Sequence, residues 1–156
     1  MKIHVTSGVG TGPTPLAAFD AAVMTATGLN QNMIYLSCFI PPGTEIVREM
    51  NKDYLKSWGQ KVYVVMSRAD ATIPGSEAWS SLGWVQDSES KGMFVEFHGS
   101  SEDYVKESIL KTLNFMKEKR NDGFGDIFSE TAGIRCESEP VCSVTMAVYK
   151  LEKWER

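Results

Sequence analysis

Apolar residues recur at Val105, Ile109, Leu113 and Met116, the spacing of one helix face. The pattern predicts a helix over residues 101–119. Lys117, Lys119 and Arg120 fall where a helix C-terminus favours cations. A second helix is predicted to open at Thr14-Pro15, a capping side chain followed by a first-turn proline, and to close at Gly28. Leu16, Phe19, Val23 and Met24 would form its apolar stripe, with Asp20 inside that stripe. β-branched, aromatic or alternating segments predict strands at 3–5, 33–39, 61–67, 78–86, 91–98, 126–136 and 141–149. Asp87-Ser-Glu-Ser90 is a polar turn, and Pro41-Pro42-Gly43 and Pro74-Gly75 interrupt the chain between strands. Residues 7–13, with Gly8, Gly10 and Gly12, read as a glycine-rich loop. Short antiparallel strands with two well-formed helices predict an α+β layered domain.

Length and composition narrow the class. A chain of 156 residues is one domain by size, and 42% hydrophobic with 23% charged residues is ordinary for a globular core. Disorder, collagen and coiled coil are poor fits. The net charge of −4, with no basic run, argues against a broad nucleic-acid footprint. No stretch approaches the roughly 18 apolar residues of a membrane span. The first residues carry one charge and then break into glycines, unlike a signal peptide. Cys38, Cys136 and Cys142 are odd in number and make no C-x-x-C pair, so a reduced, cytoplasmic protein is expected. With only His4 and His98, no His-rich metal site is expected.

Four features could carry chemistry. The glycine segment precedes a helix, as phosphate-cradling loops do, but it fits neither G-x-G-x-x-G nor a P-loop, and a plain turn is the simpler reading. Asp20, a carboxylate on an apolar stripe, costs free energy unless partnered, and reads as a rim position, an internal ion pair, or a recess for a cationic ligand group. Glu96 shares a strand face with Phe94 and His98, and is either a half-buried proton donor or a solvent-facing side chain. Ser37-Cys38 pairs two small nucleophiles at the end of an apolar run, where a cysteine is commonly just a small buried hydrophobe.

Thr14-Pro-Leu-Ala-Ala-Phe-Asp20 followed by Asn30-Gln-Asn-Met-Ile-Tyr-Leu-Ser-Cys-Phe-Ile-Pro-Pro42 resembles the pyruvoyl-dependent arginine decarboxylase family. The likeness continues through Glu45-Ile-Val47, Ile73-Pro-Gly-Ser-Glu77, Gly92-Met-Phe-Val-Glu-Phe-His-Gly99 and Val141-Cys-Ser-Val-Thr-Met-Ala-Val148. It covers nearly the whole chain in order.

The resemblance implies a four-layer αββα sandwich. It implies a proenzyme that cuts itself between Ser37 and Cys38 into a β chain (1–37) and an α chain (38–156). Cys38 would become the covalent pyruvoyl cofactor, with no metal and no pyridoxal phosphate. Asn32 would assist processing and line the site, Glu96 would donate a proton, and Asp20 would face the basic end of the substrate. The partners implied are a small amino-acid substrate, with arginine yielding agmatine, and copies of the chain in a homo-trimer or hexamer. Neither nucleic acid nor membrane is implied.

Two positions depart from the family. Cys38 stands where serine is usual, so the acyl intermediate would be a thioester and the leaving group a thiocarboxylate; a thiol is the better nucleophile. His98 stands where the family often has glutamate. These departures keep two alternatives open: a decarboxylase of another amino acid, and an unprocessed trimeric paralogue that binds a small cationic metabolite. A nucleotide binder using Gly8–Gly12 is a third.

Overall fold

The computed structural model describes residues 1–156. In chain order the elements are β1 (Lys2–Thr11), α1 (Pro15–Thr27), β2 (Asn32–Tyr35), β3 (Phe39–Ile40), β4 (Glu45–Val47), a 3-10 turn (Lys52–Lys56), β5 (Lys61–Ala71), β6 (Glu77–Gln86), β7 (Gly92–Gly99), α2 (Glu102–Arg120), β8 (Phe128–Arg135) and β9 (Val141–Glu152). One sheet has the order β2-β5-β9-β1-β4 and the other β3-β7-β6-β8. Helix α1 packs on the first sheet, α2 on the second, and the sheets face each other. The result is the four-layer αββα sandwich that the resemblance implied.

Each interface has its own core. Ala18, Ala22 and Ala26 meet Val62 and Val144 under α1. Ile3, Val5, Leu82, Phe94 and Ala147 fill the space between the sheets. Val85, Met93 and Val95 meet Ile109 and Leu113 under α2. A polar seam also joins the two sheets. The Ser80 hydroxyl lies 2.6 Å from that of Ser143 and 3.0 Å from that of Thr145, while Ser143 donates to the Ala132 carbonyl at 2.7 Å. Every hydroxyl in this cluster has a partner, as burial requires.

Both helices have the caps expected. Thr14 accepts from the Ala17 N–H and Gly28 takes the left-handed conformation at φ 68°. Ser101 caps α2, and Lys117, Lys119 and Arg120 occupy its last turn.

Three expectations need correction. First, Gly8 and Gly10 are not in a loop; they lie inside β1, opposite Val144 and Cys142 of β9. A Cβ at Gly8 would sit 2.4 Å from the Ala26 nitrogen, and one at Gly10 2.4 Å from the Ala22 nitrogen. The glycines therefore let the α1 backbone lie directly on β1. Their peptide groups belong to the ladder, which removes the nucleotide-cradle reading.

Second, the core face of α1 is Ala18, Ala22, Val23 and Ala26. Leu16 and Met24 face solvent in the single chain, and so does Asp20. Close approach to the glycine strand selects alanines, which turns the larger side chains outward. Third, residues 33–39 are not one buried strand. The run is mostly exposed and splits into β2 in the first sheet and β3 in the second.

Candidate active site

The split falls at Ser37-Cys38. Strand β2 runs parallel to β5 from Asn32 to Tyr35, and the Leu36 N–H still donates to the Val64 carbonyl at 2.8 Å. Beyond Cys38 the chain joins the other sheet, where Phe39 pairs with Met93 and Ile40 with Gly92 of β7. Ser37-Cys38 is thus the crossing from one sheet to the other. The Cys38 carbonyl is fixed there by the Phe94 N–H at 2.7 Å, and the Tyr149 hydroxyl donates to the Phe39 carbonyl at 2.8 Å.

Ser37 and Cys38 line a cleft of about 270 Å³ with Phe94, Glu96, Phe97 and Met116 among its walls. Glu96 reaches it because β3 covers only the start of β7, leaving the rest of that edge open. The apolar walls desolvate Glu96 and push its pKa above the usual carboxylate range, with His98 pulling weakly the other way. Glu96 nonetheless remains exposed to solvent. The Cys38 thiol is also raised, first by burial and then by the Glu96 charge, while Arg120 opposes the rise.

Asp20 and Asn32 stand elsewhere. They line a second cleft with Phe19, Gln31 and the exposed Trp58. Its floor is tightly made: the Asn32 side chain donates to the Gly59 carbonyl at 2.8 Å, and Gln31 donates to the Tyr54 and Ser57 carbonyls at 3.0 and 2.8 Å. No cation lies within ion-pair distance of Asp20. Arg68, the arginine packed on neighbouring Phe19, pairs with Asp70 instead. The internal ion pair weighed for Asp20 is therefore absent, and its carboxylate stands exposed at the rim of the helix.

One chain brings Ser37, Cys38 and Glu96 together and leaves Asp20 and Asn32 apart. Sequence reasoning missed Tyr149, Met116 and Arg120 beside the crossing; only long-range packing delivers them. The α2 face through Thr112, Met116 and Arg120 was visible as an i, i+4, i+8 series, but nothing local says it faces Cys38.

A nucleophile pair and a partly exposed carboxyl of raised pKa share one largely apolar cleft, an arrangement suited to acid–base chemistry on a small molecule. The comparisons with known proteins give that class its family. The family model described as pyruvoyl-dependent arginine decarboxylase matches residues 2–152. The chain is 35% identical over 145 residues to pyruvoyl-dependent arginine decarboxylase 1 of Methanosarcina mazei, covering 80% of this chain and 88% of that one. It is 27% identical to pyruvoyl-dependent arginine decarboxylase of Methanocella arvoryzae, over 96% and 95% of the two chains. Among solved structures, a pyruvoyl-dependent histidine decarboxylase aligns at TM-score 0.48 and 16% identity, over 64% of this chain and 56% of that one. The chain belongs to the pyruvoyl-dependent arginine decarboxylase family. No helix is long and apolar enough to cross a membrane.

Proposed function

We propose that this protein is a self-processing decarboxylase that converts arginine to agmatine and carbon dioxide, with its pyruvoyl group made from Cys38. The observation that carries this reading is the Ser37-Cys38 crossing, which opens into the cleft shared with Glu96. The residues there fit the group. The Cys38 carbonyl is anchored, the walls are apolar, and a carboxyl whose pKa is raised by partial burial lies in the same cleft.

Processing starts when the Cys38 thiol adds to the Ser37 carbonyl and moves that acyl group from nitrogen to sulfur. Loss of the Cys38 α-proton breaks its Cβ–Sγ bond and leaves the sulfur on the Ser37 carboxyl. Water completes the α-chain terminus and releases ammonia. The β chain is 1–37 and the α chain 38–156. The pyruvoyl carbonyl supplies the electron sink that makes loss of carbon dioxide accessible. The protein then orients the amino acid, keeps water out and returns a proton from the Glu96 carboxyl. Asp20 receives the guanidinium, whose fork suits a carboxylate.

A complete site needs more than one chain. Asp20 and Asn32 occupy a different cleft from Cys38 and Glu96, Trp58 lines the Asp20 cleft, and Leu16, Met24, Tyr35 and Trp58 leave apolar surface exposed. A homo-trimer, singly or doubled into a hexamer, would join the two halves across each interface and cover those residues. We place the protein in the cytoplasm, since none of its three cysteines is bonded to another.

The test is release of carbon dioxide from the common amino acids in parallel, with agmatine identified as the product. Arginine is expected to be preferred. Preference for another amino acid would move the assignment to that substrate, and no release from any would overturn it.

A further inference from the structure

The last turn of α2 raises a problem for the Cys38 thiol. Thr112 and Met116 line the Cys38 cleft, so the C-terminal half of this helix forms its wall. A helix C-terminus carries negative partial charge, which disfavours an anion beside it. Burial and the Glu96 carboxylate disfavour the thiolate as well. Tyr149, on β9, adds no positive charge, and His98 acts chiefly on Glu96. Yet the processing chemistry needs the anionic nucleophile.

Arg120 is the next residue on that face after Met116. Its guanidinium lies over the Phe39 ring, 5.3 Å from the centroid, and Phe39 directly follows Cys38. No carboxylate ion-pairs with it. We infer that Arg120 is a positioning residue for self-cleavage: its stacking on Phe39 keeps the guanidinium beside Cys38, where its positive charge favours the thiolate as nucleophile. This inference rests on the processing reading above. It is specific to cysteine, because a serine hydroxyl at the same place does not ionise near neutral pH and gains nothing comparable from the cation.

The experiment follows the freshly synthesised full chain by denaturing mass spectrometry at neutral pH. Arg120→Gln is expected to cut about three- to tenfold more slowly than the parent, the effect of up to one unit in a thiol pKa. Arg120→Lys should recover part of the rate, and added salt should slow the parent toward Arg120→Gln, because the guanidinium is exposed. In a Cys38→Ser background, Arg120→Gln should make no difference.

A second readout does not depend on cutting. In chain caught before cleavage, the pH midpoint for alkylation of Cys38 should rise in Arg120→Gln and return in Arg120→Lys; Cys136 and Cys142 are buried and serve as internal controls. An unchanged midpoint overturns the inference, and so does equal slowing of the cysteine and serine chains. If the parent never cuts, the processing reading fails and Arg120's role in cleavage fails with it, whereas a parent that cuts with an unchanged alkylation midpoint overturns the Arg120 inference alone.

Discussion

The Cys38 carbonyl accepts the Phe94 N–H at 2.7 Å, and that bond places the candidate cut two residues along β7 from Glu96. It lies on the α-chain side of Ser37-Cys38, so it survives the cut. The new chain start would stay registered against Glu96 without any rearrangement of the sheet. One topology thus leaves the Ser37–Cys38 bond at the crossing between sheets and pairs Phe39 and Ile40 with β7.

Glu96 should trade stability for function. Its pKa is raised in the folded chain, so its favourable contribution is full below the ordinary carboxyl value and is lost as pH rises through the raised value. Glu96→Gln should therefore raise Tm at neutral pH, with the gain disappearing in acid. Turnover of processed protein should fall about 10²–10⁴-fold, the usual worth of a positioned proton donor. Thermal melts across pH, run beside carbon dioxide release, check both. A Tm difference that grows in acid would contradict the account of this residue.

Gly10 should not tolerate even a methyl group. Its Cβ would meet the α1 backbone at Ala22, which has no flexible end to move aside. Gly10→Ala is expected to cost about 1–3 kcal/mol or more by overpacking. Denaturant unfolding measures it, and a neutral result would mean that α1 does not rest on β1 as described.

Cysteine chemistry should leave a signature on the β chain. Because the Cβ–Sγ bond of Cys38 is the one that breaks, the sulfur should depart on the Ser37 carboxyl. Mass spectrometry of fresh β chain should show one sulfur in place of one oxygen, lost slowly to water as hydrogen sulfide. Cys38→Ser, where it cuts, should give the ordinary carboxylate. An ordinary carboxylate from the parent chain at the earliest times would contradict a thioester route.

Separate clefts for Asp20 and Glu96 make a prediction about mixed assemblies. Asp20→Ala and Glu96→Gln should each be nearly inactive alone. Co-expressed, they should recover about one quarter of the parent activity, because random mixing pairs an intact half from each chain at that frequency. No recovery would place both residues in the site of one chain.

Much of this was legible in the sequence. The α2 stripe of Val105, Ile109 and Leu113 is buried as its spacing requires, and Thr14-Pro15 and Gly28 bound α1. The polar turn at residues 87–90 joins β6 to β7, and Glu96 and Phe94 share a face. The glycines misled because glycine is a turn signal, but their every-second-residue spacing is also a strand period, with one face stripped for a helix. The apolar run 33–39 misled because its side chains are mostly exposed in one chain. Asp20 was placed on the right helix and the wrong face: of the stripe around it, Val23 and Phe19 pack toward the core, while Leu16 and Met24 point to solvent as Asp20 does. Tyr149 and Arg120 reach Cys38 only through pairings across more than eighty residues, which no local pattern encodes.

The central claim is that this chain makes its own pyruvoyl group at Cys38. A denaturing intact-mass spectrum of freshly purified protein tests it most directly. The account predicts two species, a β chain ending at Ser37 and an α chain whose first residue has the mass of a pyruvoyl group. A single uncut chain of 156 residues would contradict it.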